Sequence, residues 1–297
     1  MSERKTAKDF HPETLRLFDR YVHGDISRRD FLLGAAKFTV AGVTALSVLE
    51  ALTPNYAQGQ QVKPDDQALS ASFVEFPSPH GNGTVRGYLV KPASTAEKLP
   101  VVLVVHENRG LNPHIEDVTR RLALAGFIAL APDALFTLGG YPGDEDQARE
   151  LFGKLDQTKT RQDFIESVAY LQKLQGGNGK VGVVGFCYGG GIANFLATEV
   201  PTLAAAVPFY GRQGELDKVG QIKAPLLIHY ASDDERINAG AKAYDDALKA
   251  AGKTAQSFIY PDTQHGFHND TTPRYDQAAA ALAWQRTLAF FQQHLNS

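Results

Sequence analysis

The stretch VGVVGFCYGGG, Val181 to Gly191, runs four strand-like residues into the chain's single cysteine and a cluster of glycines. Gly185-Phe186-Cys187-Tyr188-Gly189 has the spacing G-x-nucleophile-x-G, with cysteine where serine is usual. A sharp strand-to-helix turn of this kind needs small flanking residues, because the turning backbone is crowded and the new helix passes close to its own strand. Gly189, Gly190 and Gly191 permit that approach. Backbone N–H groups at the helix start would then point at the sulfur and at any carbonyl oxygen under attack. The alternative is a small buried cysteine with no chemistry.

A thiol nucleophile needs a base and a group to orient it. Downstream, ASDDERI follows the strand-like PLLIHY, and PDTQHGF follows QSFIY. The order nucleophile, acid, histidine resembles that of the α/β-hydrolase fold, each member in a loop after its own strand. His265 is the expected base. Asp234 is the expected carboxylate, since its spacing to Ile237 suits the turn, and Asp233 is expected to serve as a turn or capping residue. His268 raises the thought of a metal pair, but no cluster of His, Cys or Glu completes a site, so no metal and no cofactor is expected and His268 is placed at the pocket rim. The loop HENRGLNPHIED, after VVLVV, is expected to supply one oxyanion-hole N–H from Asn108, with Tyr188 giving the other. Glu107 stands beside it, as a member of the site or paired with Arg109 or Arg120 on the surface.

Short apolar runs alternate with helical patterns from about residue 68. SFVEF (72–76) and TVRGYLV (84–90) read as an antiparallel hairpin at a sheet edge. VVLVV (101–105), FIALA (127–131), VGVV (181–184), AAAVPFY (204–210), PLLIHY (225–230) and QSFIY (256–260) are continuous apolar runs, as strands covered on both faces require. Between them, IEDVTRRLALAG, TRQDFIESVAYLQKL and AGAKAYDDALKAAG fit crossover helices. A last helix is expected from Thr272-Pro273, with Ala281, Trp284, Leu288, Phe291 and Leu295 on one stripe. The reading is an α/β chain with a doubly wound, mostly parallel sheet, residues 68–297, in the α/β-hydrolase fold.

Residues 1–60 differ in kind. Ser27-Arg28-Arg29 precede Phe31-Leu32 and a moderately apolar run to about Leu52, which looks like a twin-arginine export signal and would send the protein to the periplasm. Lys37 and Glu50 interrupt that run, Asn55-Tyr56-Ala57 is a weak cleavage site, and no stable membrane span is expected. The alternative is a retained helical arm, packed on the main domain or on a second subunit of a homo-oligomer, in a cytoplasmic protein. With 30 Lys+Arg against 33 Asp+Glu and a formal charge of −3, no basic face follows a phosphate backbone, so nucleic acid is not expected as a partner. The 43% hydrophobic residues suffice for a sizeable core.

Together HENRG, GFCYGG, DDERI and HGFHND resemble the dienelactone hydrolase (carboxymethylenebutenolidase) family over about residues 70–295. The resemblance implies a Cys-Asp-His triad of Cys187, Asp234 and His265. It also implies a switch at Glu107, which takes the proton of a neutral resting thiol when substrate arrives. It further implies two arginines on the substrate carboxylate; one position holds Asn269 here and the other is assigned to Arg149, with Gly153 where an aromatic hydroxyl is expected. Tyr210 matches a pocket tyrosine, and Arg212 is a substitute for the missing charge. The expected substrate is therefore a small ester, lactone or thioester. A general carboxylesterase or thioesterase, or a ligand-binding relative without turnover, remain as alternatives.

Overall fold

The computed structural model describes residues 4–40, 42–95 and 97–296. Residues 1–3, Ala41, Ala96 and Ser297, which fall within the two expected segments, lie outside the described residues. The strands are β1 (Leu69–Ser78), β2 (Gly83–Pro92), β3 (Leu99–Val105), β4 (Ile128–Pro132), β5 (Gly177–Phe186), β6 (Ala205–Phe209), β7 (Leu226–Asp233) and β8 (Ala255–Gln264). They form one 8-stranded sheet in the order β1-β2-β4-β3-β5-β6-β7-β8. β1 pairs antiparallel with β2, and β2 with β4, which makes the expected hairpin the sheet edge. All other pairings are parallel.

The continuous apolar runs divide their side chains between two cores, as a period of two demands. Val101, Leu103, Val105, Val181 and Val183 face one core, and Val102, Val104, Val184 and Phe186 the other. The main-domain helices are α5 (Pro113–Leu124), α6 (Glu145–Phe152), α7 (Gln157–Gln172), α8 (Tyr188–Glu199), α9 (Glu235–Ala250) and α10 (Gln277–Leu295). Phe164 and Val168 of α7, Leu196 of α8 and Tyr244 of α9 fill the first core; Ile115 and Val118 of α5 and Phe291 of α10 fill the second. From β3 the chain crosses outward to β4 and then returns to β5 on β3's other side. The strand order therefore reverses between β3 and β5, and a crevice opens at their carboxyl ends.

The last helix departs from the sequence reading. Its N-cap is Asp276, whose side chain accepts from Ala279 N at 2.9 Å. Thr271, Thr272 and Pro273 instead form a buried turn, with Thr271 O accepting from Asn55 N at 2.7 Å. The buried stripe is accordingly Ala280, Ala283, Thr287, Phe290, Phe291 and Leu295, with Ala281 exposed. The α9 helix starts earlier than the apolar pattern suggested, because Asp234 caps it.

The N-terminal segment forms α1 (Pro12–His23), α2 (Arg28–Ala35), α3 (Ala45–Leu52) and the short α4 (Tyr56–Gly59). Leu15, Phe18, Tyr21, Phe31, Ala35, Leu49 and Leu52 bury one another in a small core of their own. The apolar run after the paired arginines is thus broken into two helices, and no described helix is long and apolar enough to cross a membrane. Arg28 pairs with Asp146 of α6 at 2.7 Å.

The elbow between β5 and α8 is the tightest point of the fold. A Cβ on Gly185 would lie 1.9 Å from Gly189 O, and one on Gly189 would lie 2.2 Å from Val105 O of β3. Gly191 is different, since a Cβ there meets only Arg212 at 3.7 Å, an ordinary contact. Gly185→Ala and Gly189→Ala are expected to cost at least about 3 kcal/mol, a fall in Tm of roughly 6 °C or more. Gly191→Ala, inside a helix, should stay within about 1 kcal/mol of the parent. Thermal unfolding by circular dichroism compares the three.

Candidate active site

Cys187 is the N-cap of α8, with φ 55 and ψ −111, a conformation that a non-glycine residue adopts only when its surroundings hold it there. Its N–H donates to Phe209 O of β6 at 3.0 Å, which ties the elbow to the neighbouring strand. The sulfur, partly exposed, stands at the helix start beyond the carboxyl end of β5, in the crevice between β3 and β5.

His265 follows β8 and is buried. Its Nδ1 donates to Asp234 Oδ2 at 2.6 Å, and Asp234 Oδ1 accepts from Ile237 N at 3.4 Å, so the capping role expected of Asp233 belongs to Asp234 itself. Asp233 is exposed at the end of β7 and accepts from Gln264. With Nδ1 committed, His265 Nε2 is left buried with no hydrogen-bond partner among the described residues.

The third group at the sulfur comes from the arm. His23, the last residue of α1, lies with Nε2 3.3 Å from Cys187 Sγ, while its Nδ1 reaches Asp19 O at 2.7 Å and Asp19 Oδ1 at 3.3 Å. Ligating atoms of His23, Cys187 and His265 all lie within 4.8 Å of one another, and the two imidazoles meet edge-on with centroids 4.7 Å apart. Burial works against the thiolate, but the facing imidazoles of His265 and His23 outweigh it and bring the thiol down to about 6. Burial likewise works against a charged His265 ring, which Cys187 and Asp234 nevertheless raise to about 10. His23 is raised as well, by Cys187 and Asp19 against burial. The neutral resting thiol implied by the family resemblance is opposed here by a second imidazole, which stands where none was expected.

The β3–α5 loop closes the other side. Glu107 pairs with neither Arg109 nor Arg120: its Oε2 accepts from Asn269 Nδ2 at 2.9 Å. Arg109 lies beside Glu145, and Arg120 donates to Val62 O. Asn108 Nδ2 donates to Val22 O at 2.8 Å, and Glu107, Asn108, Cys187 and His265 line one small cavity. A larger cavity of about 460 Å³ also borders Cys187, lined among others by His23, Asn108, Tyr188, Tyr210 and Arg212. Tyr188 donates its hydroxyl to Gln157 at 2.9 Å. Tyr210 is fully buried at φ 36 with its hydroxyl unpartnered among the described residues. Arg149 does not face this cavity; its guanidinium donates to Tyr21 O at 2.7 Å and packs on the Tyr21 ring. His268 is not at the rim either. It is buried against Phe186 and Trp284, and burial holds its ring neutral.

Residues 85–295 match the dienelactone hydrolase family. The chain belongs to that family. Membership makes it a hydrolase acting on ester bonds. Residues 1–37 match a second family, described as YqhI-like. A relative from Escherichia coli K12 named "Putative carboxymethylenebutenolidase" is 32% identical over 247 residues, 78% of this chain and 90% of its own. A shorter one from the same organism, "Putative hydrolase fragment YghX", is 57% identical over 116 residues, 39% of this chain and 99% of its own. Among solved structures, a "Putative Dienelactone Hydrolase" from Klebsiella pneumoniae superposes with TM-score 0.69 at 31% identity, covering 76% of this chain and all of that one.

What sequence reasoning missed in this dienelactone hydrolase family member is the His23–Asp19 pair. Its one signal was an i,i+4 Asp–His spacing at the end of an amphipathic helix, in a segment set aside as a possible export signal. As the only cysteine, Cys187 gives an unambiguous alkylation readout. Because its pKa is depressed to about 6, iodoacetamide reactivity should climb through about pH 6 rather than in the ordinary thiol range. His265→Gln removes the larger favourable charge and should move that midpoint up, with Asp234→Asn acting in the same direction and Asp233→Asn leaving it in place.

Proposed function

We propose that the protein hydrolyses a small ester or lactone through attack by Cys187, with a thioester acyl-enzyme. The observation that carries this reading is the His265 Nδ1 to Asp234 Oδ2 contact of 2.6 Å, which leaves Nε2 for a sulfur held at a helix start. The thiolate attacks the carbonyl carbon, and the carbonyl oxygen moves toward the backbone N–H groups of Asn108 and Tyr188. Each such donor lowers the barrier by roughly 3 kcal/mol. The intermediate collapses as the His265 imidazolium protonates the leaving alkoxide. Neutral His265 then takes a proton from water, the hydroxide displaces the thiolate, and the acid leaves. Asp234 holds the ring in the tautomer that both steps need.

Glu107 stands in the small cavity beside Cys187 and His265, and Asn269 anchors it. We assign it to the proton economy of the site, where the resemblance implies that it takes the thiol proton when substrate arrives. The substrate class is broader than dienelactones on this reading. Asn269 is engaged with Glu107 and Arg149 with the arm, so neither is offered to a substrate carboxylate. Arg212 lines the larger cavity together with Arg161, Lys218 and Arg236, and we assign it that role. We take residues 68–297 as the hydrolase domain and 1–60 as an extension of it.

Hydrolysis of p-nitrophenyl acetate should fall by about three orders of magnitude or more in Cys187→Ala, and by roughly 10² to 10⁴ in Asp234→Asn. Arg212→Ala is expected to raise KM for esters bearing a carboxylate while leaving that for neutral esters near the parent. Steady-state kinetics on both substrate types checks this, and unimpaired turnover in Cys187→Ala would exclude the mechanism.

A further inference from the structure

The arm does more than lie on the domain. The C-cap Gly24 N–H donates to Tyr21 O at 3.1 Å, and the main domain adds to the last carbonyls of α1: Asn108 and Arg109 donate to Val22 O, and Arg149 donates to Tyr21 O. Tyr21 and Arg28 both reach Asp146, and Arg274 lies 3.5 Å from Asp19. Cations and donors from three separate segments thus hold the carboxyl end of α1 over the elbow, which is also the end whose dipole favours a positive ring. The residue delivered there is His23.

We propose that His23, oriented by Asp19, is a second proton-transfer imidazole at Cys187, so that the N-terminal arm and the hydrolase domain together build one reaction centre. The inference rests on the reading of Cys187 as nucleophile and adds a residue to it. The geometry repeats that of His265. In each case Nδ1 is engaged, by the Asp234 carboxylate for His265 and by Asp19 O at 2.7 Å with its carboxylate at 3.3 Å for His23, and Nε2 is left on the side of the sulfur. The step is a transfer from sulfur to nitrogen: the S–H bond breaks with its electron pair remaining on sulfur, and the proton forms a new bond to His23 Nε2. The proton returns to the medium or to a departing oxygen when the ring is neutralised. Substrate access survives the contact, because His23 and Cys187 both line the 460 Å³ cavity. The arm is therefore a wall of the cavity rather than a plug in it.

Four groups face the His23 ring and set its charge. Asp19, on its own helix, favours the imidazolium, as does the Cys187 thiolate. His265, from the loop after β8, opposes it. Arg236, from the first turn of α9, stands with Nη2 2.9 Å from Nε2; its N–H competes with the thiol proton for that nitrogen, and it opposes the imidazolium as His265 does. Asp19 itself lies well below the usual carboxylate range: burial pulls the other way, but His23, His265 and Arg274 prevail and keep it ionised.

The test uses the full-length chain and two readouts, the pH dependence of iodoacetamide alkylation and that of kcat/KM for p-nitrophenyl acetate, in wild type, His23→Gln and Asp19→Asn. With the second imidazole gone, the alkylation midpoint should rise by about one pH unit, so that reactivity near pH 6 falls up to about tenfold while rates above both midpoints converge. The acidic limb of kcat/KM should move with it. Asp19→Asn keeps the ring and should give a smaller shift in the same direction, which covers the case in which His23→Gln unseats the arm. Unchanged midpoints in both variants, with native thermal unfolding, would overturn the proposal and reduce His23 to an anchor. The alkylation readout needs no turnover, so failure of the nucleophile reading, seen as full hydrolysis by Cys187→Ala, is recorded separately.

Discussion

The close passage of α8 across the ends of β5 and β3 is the constraint on which the site depends. Only hydrogen fits at Gly185 and Gly189, and the backbone between them must turn through a left-handed conformation at Cys187 to start the helix. The Cys187 N–H bond to Phe209 O holds that turn against β6. Once the turn is made, the sulfur has one place to be. It lies at a helix N-terminus, over the crevice where the strand order reverses, within reach of loops from β3, β7 and β8.

Electrostatics then decides the state of the thiol. Burial alone would keep it protonated, and two imidazoles reverse that result. Each imidazole is itself buried, where a charged ring is unfavourable unless a partner stabilises it. Asp234 and Asp19 supply that stabilisation, one from the hydrolase domain and one from the arm. The site is thus a compact set of coupled groups, and removing any one is felt by the others. It also explains why the β3–α5 loop spends Asn108 and Arg109 on Val22 O: the arm must be registered closely for its imidazole to meet the sulfur.

Much of this was legible in the sequence because it rests on local rules. The apolar runs from Val101 to Tyr230 marked strands buried on both faces, whereas QSFIY, read the same way, is the edge strand β8 with Ile259 61% exposed; the glycines around Cys187 marked the elbow. The order Cys187, Asp234, His265 put three loops at one sheet end. Asp234 was separable from Asp233 through its spacing to Ile237, and the structure shows the N–H contact behind that spacing. The rest depends on long-range contacts that no local pattern reports. Asn269 reaches Glu107 and Arg149 reaches Tyr21 across many residues of chain, so their loss to the substrate was invisible. Thr272-Pro273 has the look of a helix start, yet packing of that turn against Asn55 delays the helix to Asp276. His23 was hidden for the same reason, since nothing within residues 1–60 says where its ring points.

The central claim is that Cys187 carries the acyl group. Mixing the enzyme with p-nitrophenyl acetate, quenching in acid within the first turnover and mapping the peptides by mass spectrometry tests it most directly. The account predicts one added acetyl group, confined to the peptide that contains Cys187 and lost on longer incubation before the quench. A burst of nitrophenol with no acetyl on that peptide, or with the acetyl on a different residue, would contradict it.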